Sequence, residues 1–265
     1  MKTSTERTRT VSPVTEAPSV VHRTAALLRA VSANTGAGVS TTELARRTDI
    51  PRATAHRLLE SLGTEGLVER DARSGQWFLG PEIYVLGAAS APRYNITEKA
   101  AADVTALARE TGESAFFSLR RGDHTVVLLS EDGDFPIRSH VLHEGARFPL
   151  GVVSSGMAVL AYLPDESIHA YLDRADLSSE WGKGFHTDAV WERIVATRQT
   201  GWAINPGQLV EGSWGMAAAV FDTNHNPIGA LTLTGIEPRF NAERQPAIGQ
   251  LLLRHAHHLS RTVRR

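Results

Sequence analysis

The stretch from residue 40 to residue 80, STTELARRTDIPRATAHRLLESLGTEGLVERDARSGQWFLG, constrains the fold more than any other part of the chain. Ser40, Thr41 and Thr42 offer N-capping oxygens, Leu44 and Ala45 face inward, and Asp49 with Pro51 ends one helix and opens the next after a turn of about four residues. From Arg52 the apolar positions Ala55, Leu58, Leu59 and Leu62 recur three and four residues apart, one stripe for a core. Arg52, Thr54, His56, Arg57 and Ser61 are left on the opposite face. Gly63 and Gly66 stop this helix. Leu67, Val68 and Glu69 then lead through Arg70 into the loop Asp71-Ala72-Arg73-Ser74-Gly75, and Gln76, Trp77, Phe78 and Leu79 return, which is a hairpin with Arg70 and Arg73 at its tip.

A helix with cationic and hydrogen-bonding groups in its first turn, backed by a leucine stripe, suits the major groove of duplex DNA. A two-helix match alone arises by chance in helical proteins, and an arginine-rich helix face is commonly only a solvated one. The hairpin that follows at once turns the match into a winged helix-turn-helix. Its candidate DNA contacts are Arg52, Thr54, His56, Arg57, Arg70 and Arg73.

At 265 residues, a head of about 80 leaves chain enough for a second domain with its own core. Charge is uneven: residues 1 to 80 hold 11 Lys and Arg against 8 Asp and Glu, and residues 81 to 265 hold 17 against 21. Only the head leans toward phosphate, and so modestly that affinity must come from placement and from doubling the head in a dimer. The absence of cysteine excludes disulfides, thiolate catalysis and cysteine metal sites. No apolar run reaches the roughly 18 residues of a membrane span, and the Thr- and Arg-rich start lacks the centre of a signal peptide. The expectation is a cytoplasmic protein without membrane contact.

Residues 1 to 18 carry no period and read as a disordered tail, whose Arg7 and Arg9 are within reach of DNA. Ser19 caps a first helix to about Ala33 through Val20, Ala25, Leu27, Leu28 and Val31, stopped by Gly36 and Gly38. Residues 19 to 80 thus form the head. Pro81 opens a linker helix in 81 to 95, and residues 96 to 265 form the second domain. There a helix from Ile96 to Thr111, two strands around Arg120-Arg121-Gly122-Asp123, a loop from Gly145 to Leu150, a helix from Ser154 to Leu163, a helix from Asp188 to Gln199 and two strands at 215–222 and 228–234 suggest an antiparallel sheet flanked by helices, an α+β class.

Several motifs together resemble the IclR family of bacterial transcriptional regulators from Ser19 onward: ELARRT, PRATAHRLLESL, GLVERD and FLGP in the head, then GARFPLGVVSSGMAVLAYLP and GWAINPGQLVEGSWGMAAAVFD. The resemblance implies a winged-helix head, a linker helix and a GAF-like effector domain that binds a small molecule and alters operator binding. It also implies a homodimer, or a tetramer made from two dimers, on a palindromic double-stranded DNA operator. Repression of a catabolic operon, relieved by ligand, is the more frequent family behaviour.

Where the last motif of the family usually has an acid or serine, a glutamate and a small residue, this chain has Asn205, Gln208 and Gly215. Amides repel an anion less than carboxylates do, although both side chains could equally cap loop backbone. The resemblance places the pocket between the sheet and the Ser154 helix, whose N-terminus with Ser154 and Ser155 suits a carboxylate. Thr232 and Thr234 share one strand face, and Phe117 and Leu119 share another. His143, near the pocket loop, is a candidate partner for an acidic ligand. The implied effector is a small organic acid, aromatic acids included; buried Ser and Thr are also commonly just satisfied core hydroxyls.

Catalysis finds little support. Ser154-Ser155-Gly156 and Gly212-Ser213-Trp214-Gly215 do not fit G-x-S-x-G. His140 with His143, and His255 with His258, lack further ligands at metal spacing and read as surface pairs. No cofactor, metal or catalytic residue is expected. The alternative is an α+β small-molecule sensor or enzyme whose winged helix mediates protein contacts.

Overall fold

A computed structural model of the chain describes residues 19–34 and 36–264; the expected tail, with Arg7 and Arg9, lies outside the described residues. Two compact units divide between Pro92 and Arg93.

The first unit holds α1 (Val20–Ser32), α2 (Thr41–Thr48) and α3 (Arg52–Thr64). Ser19 and Ser40 accept the backbone N–H groups of His22 and Glu43 at 3.1 and 3.2 Å, each capping a helix start. The turn between α2 and α3 takes three residues because Asp49 alone reverses the chain, in a left-handed conformation with φ 52°. Gly63 lies inside α3, and Gly66, at φ 68°, sits in the turn beyond it.

Leu27, Val31, Leu44, Ala55, Leu59 and Leu62 close around Trp77, whereas Val20 is exposed. The wing is β1 (Val68–Arg70) against β2 (Trp77–Leu79), with Val39 bridging to Trp77 on the far side. The Trp77 indole N–H donates to the buried Thr41 hydroxyl at 2.9 Å, so Thr41 ties wing to α2 rather than capping it. A Cβ on Gly80 would fall 2.1 Å from the Gly66 carbonyl oxygen, so the chain can leave the wing this closely only at a glycine. After it, α4 (Pro81–Ser90) buries no side chain and leaves Tyr84, Val85 and Leu86 exposed.

The second unit is built on one antiparallel sheet in the order β5-β4-β3-β8-β7-β6. Its strands are β3 (Ser114–Arg121), β4 (His124–Glu131), β5 (Arg147–Pro149), β6 (Ala203–Pro206), β7 (Ser213–Phe221) and β8 (Pro227–Ile236). Side chains alternate between faces, and each face has its own core. Phe117, Met216, Leu231 and Leu233 pack on α5 (Ile96–Thr111) and α10 (Gln245–Val263). Phe116, Ala217 and Ala230 pack on α6 (Ser154–Ala161), with α7 (Asp165–Arg174), α8 (Leu177–Trp181) and α9 (Thr187–Thr200) enlarging that layer.

Expectation and structure differ at the margins of this unit. The loop expected at 145–150 contains β5, paired through Thr125 and Phe148 to β4. β6, α7, α8 and α10 are additional elements. Of the expected surface pair, His258 is exposed but His255 is half-buried, and on α10 both ring Nδ1 atoms lie 2.8 to 3.0 Å from the buried Asp103 carboxylate of α5. Among the described residues no cluster is arranged to hold a metal, and no helix is long and apolar enough to cross a membrane.

Candidate nucleic-acid interface and ligand cavity

On the head, Arg52, His56 and Arg57 stand exposed on α3 and Thr54 is half-buried, because Ala55, Leu59 and Leu62 take the other face into the core. Arg52, Arg57 and Arg73 make no ion pair among the described residues. Arg73 stands at the wing tip, where Asp71 accepts the Arg73 and Ser74 amides and shapes the loop. Arg70 is different. Its Nε donates to the Gly75 carbonyl at 3.2 Å, its guanidinium lies 5.6 Å from the centre of the Trp77 ring, and Glu60 of α3 is 3.9 Å away. Glu60 also sits 3.5 Å from His56. Arg46 and Arg47 of α2 are both spent on Glu43, whose carboxyl is held down to about 2 chiefly by the hydrogen bond from Arg46 and then that from Arg47. Among the candidate DNA contacts, Arg52, Arg57 and Arg73 thus keep their charge free, whereas Arg70 is held by Glu60 ten residues away, a tether between wing and α3 that helical spacing does not reveal.

In the second unit, register assembles the polar site. Asn205 pairs with Gly215, and Gly215 with Thr234, so the three lie side by side across β6, β7 and β8. They face Ser154 at the start of α6. A Cβ on Gly215 would fall 2.9 Å from the Ser154 hydroxyl oxygen, so this glycine leaves the room that brings strand and helix end together. The four residues line a narrow inner pocket with Ser139, Val141, Leu142, Val153, Leu209, Ser213 and Trp214; its free space of about 20 Å³ admits about one water. Asn205 donates from Nδ2 to the Val152 carbonyl at 2.8 Å and accepts the Gln208 amide at Oδ1, leaving one N–H for another partner. The Thr234 hydroxyl is buried without a partner. Among the described residues, no charged side chain lines this pocket.

An outer cleft of about 630 Å³ shares Ser139, Val141 and Ser213 with the inner pocket and adds Arg138, His140, Glu211 and Glu237. The Ser139 and Ser213 hydroxyls, 2.6 Å apart, stand between the two spaces. Arg138 is paired with Asp132.

Several residues expected at the pocket lie elsewhere. Phe117 is on the opposite sheet face with α5 and α10, and Leu119, two residues on, packs there too. His143 is exposed and lines neither space; its neighbour in kind is His140. Ser155 and Thr232 are buried and unpartnered but outside the inner lining. Gln208 turns away, its Oε1 accepting from Arg193 of α9 at 2.6 Å. Ser139, Ser213 and Trp214 were not expected at the site, and no local pattern marks them; their role comes from tertiary pairing alone.

An exposed winged helix on one unit, with a separate α+β unit that holds a polar-lined cavity, is the architecture of a DNA-binding transcription regulator. Sequence comparison agrees. The model of the IclR helix-turn-helix domain matches residues 20–72, and that of the bacterial transcriptional regulator IclR C-terminal matches residues 88–261. The chain belongs to the IclR family. It is 28% identical over 223 residues to the HTH-type transcriptional regulator KipR of Bacillus subtilis, covering 83% of this chain and 88% of that one. To the glycerol operon regulatory protein of Streptomyces griseus it is 28% identical over 228 residues, covering 86% and 88%. In fold it is similar to the crystal structure of an IclR homolog from Microbacterium hydrocarbonoxydans complexed with 4-hydroxybenzoate, with a TM-score of 0.70 and 18% identity over 91% of this chain and 98% of that one.

Proposed function

We propose that the protein is a ligand-responsive repressor of a catabolic operon. Its winged helix binds a palindromic operator as a homodimer or as a dimer of dimers, and its GAF-like second unit takes a small organic acid. The observation that carries the ligand half is the row Asn205, Gly215 and Thr234 facing the N-terminus of α6. Unshared donors and the positive end of a helix converge there in a cavity with no anionic lining. The 4-hydroxybenzoate complex of a protein of similar fold supports the choice of an aromatic hydroxy acid. Because the inner pocket holds only about one water, a ring would sit in the shared mouth with its carboxylate inward, moving the Ser139–Ser213 pair.

The DNA half rests on Arg52, Arg57 and Arg73, which keep their charge for phosphate or base edges. Dimerisation rests on α4, whose exposed Tyr84, Val85 and Leu86 form an apolar patch that a second copy would cover. A thermal-shift screen against a panel of small acids including 4-hydroxybenzoate tests the reading, since a ligand bound only by the folded state raises apparent stability. A larger shift from a compact carboxylate than from its neutral analogues is expected. No response to any acid, with normal folding, would overturn the ligand half.

A further inference from the structure

Among the described residues of the second unit, Arg193 is the one cation that combines partial burial, hydrogen bonds to two separate loops and the lack of any carboxylate partner. Its Nη2 donates to the Gly151 carbonyl at 3.0 Å and its Nη1 to Gln208 Oε1 at 2.6 Å. Its guanidinium stacks 5.0 Å from the centre of the Phe185 ring, and its buried Nε has no partner. Gly151 lies two residues before the pocket-lining Val153 and three before α6; Gln208 adjoins the pocket-lining Leu209. Asn205 adds a parallel tie, from Val152 to the Gln208 amide. Both walls of the inner pocket are therefore fastened to Arg193 from behind.

From this arrangement we infer that Arg193 is a positioning and specificity-determining residue: it clamps the two walls of the pocket and, left uncompensated by the neutral Gln208, sets a positive potential that favours an anionic ligand. The inference rests on the ligand site proposed above and names its regulation by charge. Two effects separate cleanly. The clamp needs a planar guanidinium that reaches two acceptors at once, which a lysine cannot supply. The potential needs only a charge, which lysine does supply, and an unpaired charge in a poorly polarisable interior acts over several ångströms. Burial pulls the guanidinium down to about 10, still well above neutrality, so the charge persists under working conditions. A carboxylate at position 208 would pair with it and cancel that potential without any contact with the ligand. Gln208→Glu therefore weakens binding through Arg193, since Gln208 turns away from the cavity.

The test uses the full chain, with 4-hydroxybenzoate and its neutral analogue 4-hydroxybenzamide as calorimetric probes, and amide hydrogen exchange across residues 150–156 and 207–213. Wild type is expected to prefer the acid. Gln208→Glu should cut the acid-over-amide preference about tenfold while leaving exchange in both loops slow. Arg193→Lys should keep most of the preference yet speed exchange in both loops together, and Arg193→Met should lose both. An unchanged preference in Gln208→Glu overturns the charge role even if Arg193→Met fails to fold. Unchanged exchange in Arg193→Lys overturns the clamp. If wild type binds neither probe, the acid-site reading and the specificity role fall together, while exchange in Arg193→Lys still decides the clamp.

Discussion

The recognition face of α3 and the inner pocket handle charge in opposite ways. Around the helix, several basic side chains are tethered by carboxylates, His56 and Arg70 by Glu60 and, on α2, Arg46 and Arg47 by Glu43, whereas Arg52, Arg57 and Arg73 make no ion pair among the described residues. In the pocket every lining group among the described residues is neutral, and the half-buried Arg193 is hydrogen-bonded to Gly151 and Gln208, which adjoin its lining. A surface that must meet many phosphates gains from mobile, solvated charge and tolerates trimming. A pocket that selects a small acid, as proposed, gains from fixed dipoles and an unscreened charge, and tolerates little rearrangement. The same contrast sets where substitutions should act.

The largest effect is expected in the head's core. Leu59 is fully buried beneath the recognition face, so Leu59→Ala should cost about 2 to 5 kcal/mol of head stability and abolish DNA binding. Acid binding by the second unit should survive, as read by calorimetry below the head's unfolding temperature. Loss of both would mean that the units do not fold independently.

Next is the pocket. Because a methyl on Gly215 would press on the Ser154 hydroxyl, Gly215→Ala should weaken a carboxylate ligand about tenfold, about 1.4 kcal/mol, with the melting temperature little changed. An unaltered dissociation constant would move the site out of the inner pocket.

The third prediction is smaller. Arg57→Ala removes one free phosphate contact, so it should weaken binding to all DNA sequences and flatten the log–log salt dependence by about one unit. Arg70→Ala should do less, since Arg70 is already held by Gly75, Trp77 and Glu60. Equal effects of the two substitutions would erase the distinction between free and tethered arginines.

Smallest is a pH effect on the head. Glu43 is depressed from 4.5 to about 2, so its contribution is present above pH 4.5 and is lost as pH falls through about 2. Glu43→Gln should remove that sensitivity and free Arg46 and Arg47, raising affinity for non-specific DNA slightly. Acid titration of head stability by circular dichroism reads the first effect, and anisotropy at low salt the second.

Much of the head was legible because its chemistry is local. The stripe Ala55, Leu59 and Leu62 and the hairpin around Gly75 are separated by few residues, so spacing alone orders them. The tether on Arg70 was not legible, since Glu60 looks like any solvated helix residue. In the second unit Asn205, Gly215, Thr234 and Ser154 were reachable through family resemblance. Their meeting, though, depends on the register of three strands, in which a shift of one residue sends every side chain to the other face. That is how Phe117 and Leu119, correctly read as sharing a face, prove to share the wrong one. Arg193 carries no signal at all: its role is set by acceptors 42 residues before it and 15 after. α10 is a different case, since Ile248, Leu251, Leu252, Ala256 and Leu259 recur at helical spacing and could be read from sequence directly.

The proposed function requires the DNA-binding head and the acid-binding pocket to answer to each other. Operator fragments selected in vitro by the full chain allow a direct measurement: DNA affinity by fluorescence anisotropy with and without saturating acid, and acid affinity by calorimetry with and without saturating DNA, at one fixed salt concentration. Coupling requires the two ratios to be equal, because linkage between binding sites is reciprocal. The same factor, about 5 to 150, is expected in both directions, with its loss in Gly215→Ala at acid concentrations that saturate only the wild type. Tight binding of both ligands with a ratio of one in each direction would contradict it.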